Sequence, residues 1–291
     1  MRMKTFHQVM KSAFGLLLIG AALITESNAA QSEYHFFAFD NGLEDIEPAE
    51  EKAELLKELG YDGICWRPHE QDQAMLAALD EHGLSMSATY VVLHYQEGAC
   101  QVPQQVVEHI ERLAGRETII WLTIRGEEEA QSDPIVVEAI NQVADLAKES
   151  GLKVSLYPHI RFYTDTVAKC FDLVKQVDRD DVGISFNLCH YLAQSDHDQL
   201  EETIRTIAPK LMVVQINGAK QGTPGETSVL EFIQPLGEGG FDVWRVMRVL
   251  QEIGYQGPIG LQCYAIDEPA EVHLKKSMDA WQAYLDRSSN Q

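Results

Sequence analysis

Val182-Gly183-Ile184-Ser185-Phe186-Asn187-Leu188-Cys189-His190 opens as a strand and closes on two polar groups. Ile184 and Phe186 are apolar, Gly183 and Ser185 are small, and Asn187 and His190 then break the pattern before a helix-like run that starts at His197. A strand that stops on an amide and an imidazole and then turns into a helix suits the mouth of an α/β barrel, where the residues just past each strand share one face. Alone, the same nine residues would also suit a strand end with an exposed turn. The surrounding chain decides between the two.

One junction recurs four times. Lys57-Glu-Leu-Gly60, Asp80-Glu-His-Gly83, Lys148-Glu-Ser-Gly151 and Gln251-Glu-Ile-Gly254 each end a helical pattern. In each, a glycine able to adopt the left-handed conformation is followed by an apolar residue and then a strand-like run. Repetition of this unit predicts βα repeats and a parallel sheet. Strands are expected at 34–39, 63–66, 85–92, 118–124, 153–156, 182–187, 211–216 and 259–262. Helices are expected at 48–59, 73–82, 103–113, 134–150, 164–177, 201–208, 241–253 and 268–285, with frayed residues after the last. Asp242 is placed to cap the helix at 241–253. Eight strands alternating with eight helices make an α/β fold, a single (β/α)8 TIM barrel, and the chain of 291 residues suits a barrel of about 250. The alternative, an open doubly wound sheet, usually carries a Gly-rich loop after its first strand. Asp40-Asn41-Gly42 does not supply one.

The first residues read as a targeting segment. Arg2, Lys4 and Lys11 are basic, Ser12–Thr25 is apolar and too short to span a bilayer comfortably, and Ser27-Asn28-Ala29 has small residues where a signal peptidase cuts. Residues 1–29 are therefore expected to be a cleaved signal peptide and 30–291 the barrel domain, secreted or periplasmic, with no membrane span afterwards. The formal net charge is -22, and loss of three bases and one acid with the signal brings it near −24. Such a surface repels phosphate backbones, so nucleic acid is not an expected partner. The five cysteines, Cys65, Cys100, Cys170, Cys189 and Cys263, follow no disulfide or zinc spacing and are expected mostly as small core residues.

Collecting the residues after each strand gives a polar rim. Tyr157, His159 and Arg161 follow the fifth expected strand, and Asn187 and His190 the sixth. Gln215, Asn217 and Lys220 come from the seventh, Gln262 from the eighth and Arg125 from the fourth. Planar donors and acceptors with aromatic neighbours suit a polyhydroxylated ligand, a sugar or keto-sugar. His159, His190 and Lys220 are the acid–base candidates. Tyr157, Asn187, Gln215, Asn217, Gln262, Arg125 and Arg161 are the binding candidates. There is no Gly-x-Ser-x-Gly elbow and no evident carboxylate pair at glycosidase spacing.

Gly183-Ile-Ser-Phe-Asn-Leu-Cys-His190, Pro235-Leu-Gly-Glu-Gly-Gly-Phe-Asp242 and Leu156-Tyr-Pro-His159 resemble the xylose isomerase-like TIM barrels, the sugar phosphate isomerase/epimerase or endonuclease IV-like superfamily. The resemblance covers nearly all of the chain after residue 29. Asn187-Leu-Cys-His190 and Leu261-Gln-Cys-Tyr264 are similar to an exported branch of it. The resemblance implies a divalent metal at the barrel mouth, held by two glutamates, an aspartate and a histidine. Carried over, those positions are Tyr157, Asn187, Gln215 and Gln262, and none is a carboxylate. The family's two-glutamate proton transfer then has no counterpart here. A metal on His159, His190, Asn187 and a loop acid is the remaining arrangement. Three functions follow: an exported isomerase, epimerase or lyase acting on a sugar; a non-catalytic carbohydrate-binding barrel; and a DNA-repair nuclease, which the acidic surface and missing ligands oppose.

Overall fold

The computed structural model describes residues 34–129 and 131–289. The expected signal segment, 1–29, lies outside the described residues. The compact unit Ser32–Gln291 holds every described residue. Its strands are β1 (Phe36–Phe39), β2 (Gly63–Trp66), β3 (Ser85–Gln96), β4 (Ala99–Gln101), β5 (Ile119–Arg125), β6 (Lys153–Leu156), β7 (Val182–Asn187), β8 (Leu211–Ile216) and β9 (Ile259–Leu261). All but β4 pair in parallel in the order β1-β2-β3-β5-β6-β7-β8-β9, and β9 returns to β1, so the ring closes. This is the (β/α)8 barrel, with every sheet edge in the ring paired.

The helices are α1 (Ala49–Leu59), α2 (Asp72–His82), α3 (Gln104–Arg112), α4 (Asp133–Glu149), α5 (Val167–Val177), α6 (Leu188–Gln194), α7 (Leu200–Ile207), α8 (Trp244–Glu252) and α9 (Ala270–Ser289). The four junction glycines behave as their sequence context requires: Gly60, Gly83, Gly151 and Gly254 have φ of 88°, 64°, 75° and 66°. A side chain is strained in that region, whereas glycine ends the helix and lets the chain turn back to the sheet.

Aromatic rings fill the barrel. Trp121 on β5 meets Phe37 and Phe39 of β1 at ring separations of 5.6 and 5.8 Å, although the two strands are not neighbours in the ring. That contact crosses the interior. The room for it comes from glycine opposite: a methyl group on Gly260 would stand 2.8 Å from the Phe37 ring. All five cysteines are free and buried, as core residues.

The structure corrects several expectations. Strand β3 runs four residues beyond Val92 and folds back on β4 through Glu97 and Gly98, whose φ values of 52° and 73° make a tight hairpin. Helix α6 begins directly after β7, ahead of the helix-like run that the sequence placed from His197. Asp242 does not cap α8; the residue before that helix is Val243, with no side-chain cap. Helix α5 starts at Val167 and is capped by Thr166, whose hydroxyl accepts from Lys169 N at 3.1 Å. Helix α9 continues to Ser289, where fraying was expected after Leu285. No helix among the described residues is long and apolar enough to cross a membrane.

Candidate active site

Four neutral groups converge under the barrel mouth. Asn187 ends β7 and Gln215 lies opposite it on β8, so the register of the two strands sets them side by side. Tyr157 follows β6 and Gln262 follows β9. The Tyr157 hydroxyl donates to Gln215 Oε1 at 2.7 Å. Asn187 Nδ2 donates to both the Tyr157 hydroxyl and Gln215 Oε1. Gln262 Nε2 reaches the same two oxygens at 3.4 and 3.5 Å. Asn41, from the turn after β1, donates to Gln262 Oε1 at 2.8 Å. All four floor residues are at most 3% exposed. The ring of partners lets polar groups sit in a dry interior without an unpaired charge.

Asn187 has a second task. Its Oδ1 accepts from His190 N at 3.2 Å, so the residue that ends the strand also caps α6. That cap sets His190 in the first helical turn, above the floor. His190 stands 4.3 Å from His159, ring centre to ring centre, and 5.9 Å from Tyr157. Phe162 stacks on His159 at 3.9 Å. Burial, with a smaller contribution from nearby Arg125, holds the His159 pKa below its ordinary value. Burial, and to a smaller degree repulsion from His159 when that ring is protonated, hold His190 well below it. Both rings are therefore neutral near pH 7 and able to accept a proton. His159 Nδ1 lies 2.9 Å from the Ile160 carbonyl, which can only accept, so the proton is assigned to Nδ1 and the Nε2 lone pair is free.

Above these groups opens a cavity of about 550 Å³. Tyr157, His159, His190, Gln262, Arg125 and Arg161 line it, together with Asn41 and Arg67. Phe39, Tyr90 and Val92 from the barrel, and Val229, Leu230 and Ile233 from the loop after β8, add apolar wall. Its size is that of an ordinary small-molecule site. Asn187 and Gln215 support the floor from beneath and do not line the cavity.

Two candidates lie elsewhere. Lys220 is half exposed, 3.3 Å from Glu231, and outside the cavity lining. The long loop after β8 draws it away, by an isolated bridge to Gly240. Asn217 is fully buried and ties that loop down, donating to the carbonyls of Gly218 and Phe232 at 2.7 and 2.5 Å.

Sequence reasoning missed Tyr90, which faces Tyr157 edge-on at 5.2 Å. Strand alternation alone does not say which face of a doubly buried strand points inward. It also missed that Asp40, 3% exposed, holds Arg67 through its Nε at 2.8 Å and its backbone N–H at 3.1 Å. A second cavity of about 550 Å³ shares Arg67, Tyr90 and Val92 with the first. It exposes one edge of a buried cluster in which Asp72 accepts from His109 at 2.6 Å, Arg112 at 2.7 Å and Trp66 at 3.0 Å.

The metal that the resemblance implies needs hard, preferably charged ligands. The floor offers an amide triad and a phenol, uncharged and already bonded to one another, and this donor set does not fit a hard dication. Among the described residues no group of three or more His, Cys, Asp or Glu is placed to hold a metal ion.

A family model described as xylose isomerase-like TIM barrel matches residues 53–284. Among characterised proteins, an inosose isomerase of Bacillus licheniformis is 23% identical over 130 residues, covering 44% of this chain and 46% of that protein. The inosose isomerase of Bacillus subtilis is 22% identical over 130 residues with the same coverage. The chain thus matches less than half the length of these relatives. In structure it is similar to the IolI protein with bound zinc, with a TM-score of 0.67 at 15% identity, covering 87% of this chain and 98% of that one. It is also similar to the 3-keto-D-glucoside 4-epimerase from E. coli, with a TM-score of 0.66 at 16% identity, covering 87% and 99%. Identities this low speak to the fold alone.

Proposed function

The chain belongs to the xylose isomerase-like TIM barrel family, and on that footing we propose that it is a sugar isomerase or epimerase acting on a carbohydrate or keto-sugar by proton transfer. The observation that carries this reading is the pair of neutral imidazoles, 4.3 Å apart, over an uncharged polar floor. A carbon next to a carbonyl gives up its proton to the free Nε2 of His159 or to His190, and the C–H electrons pass into an enediolate. Return of the proton to the same carbon from the other face inverts it. Return to the former carbonyl carbon isomerises, with the proton of the adjacent hydroxyl passing to the former carbonyl oxygen. Loss of a β-hydroxyl from the enediolate, leaving as water with the proton the histidine took, instead makes the reaction a lyase step. Gln262 and Asn41 present donors and acceptors to the sugar hydroxyls, and Tyr90 offers an apolar face.

In this reading the acidic metal-ligand positions of the family are replaced by Tyr157, Asn187 and Gln262, and the histidine by Gln215. No step here passes through a metal. The family and its inosose isomerase relatives support the substrate class. Export belongs to the same proposal: the basic start, the apolar run and the small residues before position 30 support cleavage, which the mass of protein recovered from the periplasm or medium checks.

The experiment is a turnover screen over sugars and keto-sugars, with elemental analysis of the purified protein. The expected result is conversion of at least one keto-sugar, lost in His159→Ala or in His190→Ala. Full turnover in both variants would overturn the mechanism. A second reading, a non-catalytic sugar-binding barrel, draws on the way the floor groups bond to one another, with Gln215 Nε2 alone among the four residues left without a partner. Calorimetric binding without conversion of any bound sugar, with or without added metals, would select it.

A further inference from the structure

The cavity over the floor is lined by arginines and by no acid, in a strongly acidic chain. The sequence has 45 acidic and 23 basic residues, yet Arg67, Arg125 and Arg161 line the cavity and none of its described lining residues is an aspartate or glutamate. Arg67 is already committed, at 2.8 Å to Asp40 and 2.9 Å to Glu44. Arg125 and Arg161 have no carboxylate partner among the described residues. Arg112, Arg116, Arg179, Arg205, Arg245 and Arg248 each have one. Arg287, the remaining described arginine, rests on the Trp244 ring.

With acids this abundant, two guanidiniums left without a carboxylate at the same opening require a reason. Arg125 is held over the Phe162 ring at 4.6 Å, a contact that fixes the group without cancelling its charge. Arg161 sits in the loop between β6 and α5 with φ of 68°, a left-handed conformation that a non-glycine residue adopts at a cost. Beside them His190 is 6% exposed, and its buried Nδ1 has no hydrogen-bond partner. The neutral floor removes any carboxylate that would repel an anion from below.

We propose that the substrate is an anionic sugar, whose carboxylate or phosphate oxygens are held by the Arg125 and Arg161 guanidiniums at the rim while its polyol part meets the floor. This deepens, and rests on, the sugar-modifying reading of the same cavity. A planar guanidinium pairs with two oxygens of either group in parallel hydrogen bonds, and such charge-assisted bonds are roughly twice as strong as neutral ones.

The test is calorimetric titration of the purified protein at low salt with D-glucose, D-glucuronate and D-glucose 6-phosphate, which share one ring and differ in charge. At least one acid is expected to bind about tenfold or more tighter than glucose. The acid that shows the gain tells carboxylate from phosphate. The Arg125→Gln, Arg161→Gln double variant is expected to lose the gain, and Arg125→Lys to keep part of it. Equal affinity for glucose and both acids would overturn the proposal and leave the sugar reading standing. A gain that survives in the double variant would overturn the assignment to these arginines. Binding of none of the three would overturn both.

Discussion

Replacing Tyr157 with phenylalanine isolates the hydrogen-bond ring under the cavity. The aromatic packing stays, since the ring keeps Trp121 at 5.1 Å and Tyr90 at 5.2 Å. Only the hydroxyl goes. It donates to Gln215 Oε1 at 2.7 Å and accepts from Asn187 and Gln262. Asn187 retains Gln215 as an acceptor, but Gln262 Nε2 is left with one long contact of 3.5 Å. The net loss of one hydrogen bond costs about 1 kcal/mol, and a buried N–H without a good partner adds about 1–2 kcal/mol. The expected destabilisation is about 2–3 kcal/mol. At about 2–4 °C per kcal/mol for a domain of this size, Tm falls by roughly 4–12 °C. Urea unfolding followed by circular dichroism measures it, with Tyr264→Phe as the control, because Tyr264 is 47% exposed. A loss below about 0.5 kcal/mol, the level of an ordinary surface change, would refute a closed and dry floor.

Two further outcomes follow from the titrating groups. His159 and His190 are both depressed in the folded chain, so the unfolded chain binds their protons more readily. Their contribution to stability is present above about pH 6.5 and is lost as pH falls from there toward the folded values; unfolding free energies between pH 5 and 8 check it, and the slope is expected to shrink in His190→Gln. Burial pushes the Asp72 carboxyl up, but the His109 and His69 hydrogen bonds outweigh it and leave Asp72 at about 2. Its contribution is present above about pH 4 and lost as pH falls toward 2. Asp72→Asn, which strands His109 and Arg112, is expected to cost at least about 3 kcal/mol by urea unfolding at pH 7.

The repeat was legible because its punctuation is local. A glycine with φ near +70° after a helix is written in four adjacent residues, and Gly60, Gly83, Gly151 and Gly254 each show it. The convergence of Tyr157, Asn187, Gln215 and Gln262 was legible for a topological reason: once eight strands close, residues at strand ends must meet. Helix α6 was not, because Asn187 serves both as strand terminus and as cap, and seven residues are too few for a helical period to show. The three-residue strand β4 is shorter still. Lys220 was misplaced because a long loop gives no register; the bridge of Lys220 to Gly240 depends on contacts twenty residues apart in sequence. The Arg67–Asp40 pair joins two different strand ends and has no local signature.

Proton transfer by two neutral imidazoles above an uncharged floor is tested most directly by solvent exchange. Keto-sugars incubated with the protein in deuterium oxide would be followed by NMR at the carbons flanking the carbonyl. The expected result is enzyme-dependent deuterium incorporation there, abolished in His159→Ala or in His190→Ala. A keto-sugar that binds in the cavity yet acquires no deuterium, or acquires it equally in both variants, would contradict the mechanism.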